Sequence, residues 1–115
     1  MVHLPRLRVV FYRTAGGREP VREWLRSLER DARKRIGEDI KTVQMGWPLG
    51  MPLVRALGGG LSEVRIRLRG GQARVVFLVE AGVMVLLHGF MKKTRKMPRG
   101  DLEIARRRAR KVRAK

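Results

Sequence analysis

The chain has 115 residues, enough for one hydrophobic core and too few for two, and its 28 lysines and arginines face only 10 acids, a formal net charge of +18. Cysteine is absent and the only histidines are His3 and His88, which excludes disulfides, thiolate metal sites and a histidine-built metal centre, so neither metal nor cofactor is expected. Charge this one-sided repels itself unless a polyanion neutralises it, and nucleic acid is the usual one.

Leu7-Arg8-Val9-Val10-Phe11-Tyr12 is β-branched and aromatic and stops at Thr14-Ala15-Gly16-Gly17, which predicts a first strand closed by a loop. Pro20 suits the first turn of a helix whose apolar stripe is Val21, Trp24, Leu25 and Leu28. A second helix is expected to be capped by Asp31, with a stripe of Ala32, Ile36, Ile40 and Val43, and to end at Gly46. Trp47 to Gly60 carries two prolines and four glycines and reads as a loop.

Three strands follow. From Glu63 to Arg69, Val64, Ile66 and Leu68 point to one face while Arg65, Arg67 and Arg69 point to the other. Gly70-Gly71 reads as a two-residue hairpin turn, which sets Arg69 opposite Gln72 and Arg67 opposite Arg74. The next turn has two readings. A three-residue loop, Glu80-Ala81-Gly82, gathers Val75, Phe77, Val79, Val83, Val85 and Leu87 with Val64, Ile66 and Leu68 on one apolar face and leaves His88 on the polar face beside Arg67 and Arg74. A two-residue loop puts His88 in the core. The three-residue loop is preferred because it keeps nine apolar residues inside. A last helix follows Pro98, with Leu102, Ala105, Ala109 and Val112 as its stripe and an intensely basic end. The expected fold is therefore α+β in a single domain over residues 1–115: a small, mostly antiparallel four-stranded sheet with two N-terminal helices and a C-terminal helix. No apolar run of signal-peptide length follows Met1, and the longest, Val83 to Leu87, cannot span a bilayer, so a soluble, cytoplasmic chain with no membrane partner is expected.

The polar face of the sheet gathers Arg65, Arg67, Arg69, Arg74 and His88, with Phe90, Lys92, Lys93, Arg95 and Lys96 at or beyond the end of the last strand. Such a patch suits RNA cleavage without metal, in which the ribose 2′-oxygen attacks the adjacent phosphate. The protein must hold the in-line geometry, stabilise the phosphorane and move two protons. Arginine grips phosphate oxygens in bidentate fashion, and a lysine among like charges is a candidate proton carrier. His88 is either an acid or base or a buried structural residue. Phe90 either stacks on a splayed base or packs under the last helix. Gly58-Gly59-Gly60 is no nucleotide loop, since a strand follows and no Lys-Ser/Thr pair does.

Four segments stand in order: Glu19-Pro20-Val21-Arg22-Glu23-Trp24-Leu25; Gly60-Leu61-Ser62-Glu63-Val64-Arg65; Arg74-Val75-Val76-Phe77; and Leu86-Leu87-His88-Gly89-Phe90-Met91-Lys92-Lys93-Thr94, with Pro98 beyond. The series resembles the phage-derived, HigB-like branch of the RelE toxin superfamily. The resemblance implies a RelE-like fold and a ribosome-dependent mRNA endonuclease, neutralised by a cognate antitoxin, often a helix-turn-helix, HigA-like protein. It carries Arg65 and Arg74 over as site arginines, with His88, Phe90, Lys92 and Lys93 in the family's last-strand motif and Arg67 at a basic position. Ser62 and Ala73 stand where relatives often have tyrosine. Arg65, Arg74, His88, Lys92 and Lys93 are thus the catalytic candidates, and Arg67, Arg69, Phe90, Arg95 and Lys96 the RNA-binding ones. A non-catalytic RNA- or ribosome-binding module and a phage regulatory subunit are the alternatives.

Overall fold

A computed structural model describes residues 7–114, so His3 lies outside the described residues. The chain runs β1 (Arg8–Phe11), α1 (Pro20–Arg26), α2 (Arg30–Gly46), β2 (Val54–Gly58), β3 (Leu61–Leu68), β4 (Gly71–Glu80), β5 (Val83–Lys92) and α3 (Arg99–Arg113). The strands form one open mixed sheet in the order β1-β5-β4-β3-β2, with β1 parallel to β5 and every other pair antiparallel. The expected α+β class and three helices are present, but the sheet has five strands instead of four. The extra strand is β2, inside the stretch read as a loop. It is short, flanked by Pro52 and by glycines, and pairs with β3 alone, so its own sequence carries little strand signal.

Three local expectations are corrected. Asp31 does not cap α2; it lies in the first turn, where its charge suits the positive end of the helix, and Glu29 is the cap residue. The β3–β4 turn is Arg69-Gly70, one residue earlier than expected, so Arg74 lies opposite Arg65 and Arg67 opposite Gln72. Pairing thus slips by two residues, an even number, and each side chain keeps its face. The β4–β5 turn is the two-residue Ala81-Gly82, both at positive φ (49° and 76°), which matches the right-handed twist of a hairpin.

That short turn does not put His88 in the first core, because a bulge intervenes. Phe77 pairs with Leu86 and Val76 with His88, leaving Leu87 as the extra residue. The sheet is consequently buried on both faces. Val64, Ile66, Val75 and Phe77 join Met84 and Leu86 beneath α1 and α2. Val85 and Leu87 turn to the opposite side, where Leu61, Val76 and Leu78 meet Ala105 and Ala109 of α3. The single nine-residue apolar face is thereby replaced by two cores. Small alanines let α3 approach closely, and each large side chain fully buried contributes about 1.5–3 kcal/mol.

Candidate functional site

α3 covers only part of its sheet face. Beyond it, at the end nearer the β3–β4 turn, Arg65, Gln72 and Arg74 stand with Lys92 and then Lys93 and Arg95 of the linker around an open cleft of about 430 Å³. Strand alternation places these groups together: Arg65 pairs with Arg74, and Gln72 with Lys92.

Arg74 is the centre of this end. Its side chain is 2% exposed and lies beside the equally buried Glu63, with Nε 3.7 Å from Oε1. Nη1 donates to the Ala73 carbonyl at 2.9 Å and Nη2 to Gln72 Oε1 at 2.7 Å. Among the described residues, Glu63 Oε2, Arg65 Nε and Arg74 Nε are buried without a hydrogen-bond partner. Both arginine Nε atoms are closed to solvent, so it is the cationic lining of the cleft as a whole that suits an oxyanion. Burial, with the charges of Arg65 and Arg55, lowers the pKa of Arg74, opposed by Glu63; the guanidinium still keeps its proton. Lys92 is also lowered, by burial first and then by Arg74. Its ammonium therefore gives up a proton more readily than an ordinary lysine does.

Arg67 lines a second cleft, of about 500 Å³, with Arg35 and Asp39 of α2; Arg65, Gln72 and Arg74 belong to both clefts. Arg69 sits exposed in the β3–β4 turn and Lys96 exposed in the linker, and neither lines these clefts.

His88 is elsewhere. Its Nε2 lies 2.7 Å from Asp101 Oδ1, and Arg108 Nη1 lies 3.4 Å from Nδ1 while donating to the Leu87 carbonyl at 2.8 Å. Arginine can only donate and the Asp101 carboxylate only accept, so Nε2–H donates to Asp101 while Nδ1 faces Arg108. The imidazole thus ties α3 to β5. Phe90 stacks on it with ring centroids 5.5 Å apart and is 8% exposed within the core beneath α3, so its faces are covered. Glu63, Gln72, Arg55 and Asp101 were not among the expected site residues. Glu63 had one signal, as the only acid on a strand of alternating arginines, whereas Asp101 had none, because its partner is 13 residues away.

Fold and cleft together define a small α+β protein with an open, cation-lined cleft. The chain belongs to the phage-derived Gp49-like family (DUF891), whose model matches residues 23–110; this is a RelE-like family associated with toxin-antitoxin systems. No match was found among curated proteins. The resemblance in the motifs therefore holds at the RelE-like level and is compatible with a toxin-like function. No described helix is long and apolar enough to cross a membrane.

Proposed function

We propose that the protein is a HigB-like toxin: an endoribonuclease that cuts mRNA on the ribosome without a metal and is held in check by a cognate antitoxin, of the helix-turn-helix HigA-like kind. One observation carries this reading. In a chain of a RelE-like family, Arg65, Arg74, Lys92 and Lys93 line a single open cleft. Arg65 and Arg74 hold the scissile phosphate and stabilise charge on the phosphorane. Lys92, in its amine form, takes the proton from the 2′-hydroxyl. The 2′-oxygen bonds to phosphorus as the bond to the 5′-oxygen breaks, and the Lys93 ammonium protonates that leaving oxygen. The products are a 2′,3′-cyclic phosphate and a free 5′-hydroxyl. Arg95 holds a flanking phosphate, and Arg69 and Lys96 add outer charge. His88 and Phe90 act in this scheme by fixing β5 beneath α3.

Mapping mRNA 5′ ends after induction tests the proposal. The native chain produces new ends and stops growth. Lys93→Ala and Arg74→Lys, the latter chosen because it keeps a cation beside buried Glu63, each slow cleavage by about 10²–10³-fold, the usual loss when one donor to a developing charge is removed. Undiminished cleavage by both folded variants overturns the assignment. Blocked growth with intact transcripts supports the binding-module reading, which the net charge of +18 alone favours.

A further inference from the structure

β2 stops pairing with β3 at Val54, and the last ladder contact there is the Arg65 amide donating to the Leu53 carbonyl at 2.8 Å. The tip of β3 beyond it, Ile66 to Leu68, is therefore an open edge. Amides of alternate strand residues point the same way, so the Arg67 N–H faces the side on which Arg65 meets Leu53. The second cleft lies at this edge, and it reaches from Arg65 and Arg74 on one face of the sheet to Arg35 and Asp39 of α2 on the other. Pro52, Leu53 and Ile66 give it apolar lining beside these cations. Arg35 is 55% exposed, and its Nε sits 3.3 Å from Asp39 Oδ2, one helical turn along.

We propose that this second cleft is a subsite for the RNA nucleotide flanking the two joined by the scissile phosphate, with Arg35 and Arg67 taking its phosphate and Pro52 and Leu53 lying against its ribose or base. Asp39 is a positioning residue, holding the Arg35 guanidinium against α2. Because the two clefts share Arg65 and Arg74, a strand held at the cleavage site can pass its neighbouring unit directly into the second. The choice of RNA as ligand rests on the function proposed above.

Fluorescence anisotropy with the full chain and uncleavable 2′-O-methyl oligoribonucleotides of increasing length tests this. Affinity rises in a step once the oligomer is long enough to enter the second cleft. Arg35→Ala removes that step, weakening the longer oligomers about tenfold, as expected for one charged hydrogen bond, and reducing their salt slope by about 0.7, the value for one phosphate contact on a single strand. It leaves the dinucleotide unchanged, and so does Arg35→Gln. Arg30→Ala, an exposed arginine at the start of the same helix that lines neither cleft, retains the step. Equal losses at every length, or no step in the native chain, overturn the subsite. Intact mRNA in cells together with a clear length step removes the nuclease reading and keeps the subsite, whereas mRNA cleavage without the step removes the subsite alone.

Discussion

Glu63 and Arg74 face each other where water barely reaches, and at that depth each needs the other more than either does at a surface. Glu63→Gln leaves the Arg74 guanidinium buried without its countercharge. We expect a loss of about 3–5 kcal/mol in denaturant unfolding, the range for breaking a buried pair from one side. Lys92 makes a second prediction at this scale. Its folded pKa is lowered by burial and by Arg74, so the unfolded chain binds this proton more tightly than the folded one. Stability therefore rises with pH across the window from the lowered folded value up to the ordinary lysine value near about 10.4, and Lys92→Met, measured by denaturation across the same pH range, lacks that rise. On the proposed mechanism, with Lys92 as the base, the same shift makes the cleavage rate climb and level off below the ordinary lysine value, a limb that Lys92→Met abolishes. Alternation along β3, β4 and β5 was enough to bring Arg65, Arg74 and Lys92 to one face. His88 shows what alternation misses, since its partners, Asp101 and Arg108, come from α3.

At the scale of elements, the β4–β5 hairpin decides the most. Two-residue hairpin turns favour Asn-Gly or Asp-Gly, and Ala81-Gly82 hides the same geometry behind an alanine at positive φ, so nothing in the turn itself offsets the preference for a three-residue loop that keeps nine apolar residues on one face. The bulge at Leu87 then restores His88 to the face that the wrong loop had given it. Correct face and incorrect route thus coincide, and the difference shows in Val83, Val85 and Leu87, which build the second core. Beyond the bulge, Gly89 lets α1 dock: a Cβ there overlaps the Trp24 ring. Gly89→Ala must therefore push α1 away from β5, and we expect a loss of about 1–3 kcal/mol, typical of overpacking, read as a lower denaturation midpoint. The α1 stripe was legible in the sequence, but the glycine it needs opposite was not.

Taken as a whole, the molecule carries a charge of +18 with few acids to offset it. The end of α3 is held despite its like charges, because Arg113 donates to the Gly59 carbonyl at 2.9 Å and lies 3.5 Å from Glu80. Repulsion spread over the surface is screened by salt, so the thermal midpoint should rise between about 0.01 M and about 1 M salt, as the Debye length shrinks from about 30 to about 3 Å. A midpoint that falls over this range contradicts repulsion as the dominant surface effect. The α+β class, the three helices and the cationic cleft could all be read from the sequence, because helical and strand periodicity are local and tell each side chain which way to face. Only the tertiary structure decided the fifth strand, the register, the bulge, the second core and the clamp on His88. Each of these depends on which distant segment lies alongside, and packing between segments, not periodicity within one, sets that choice.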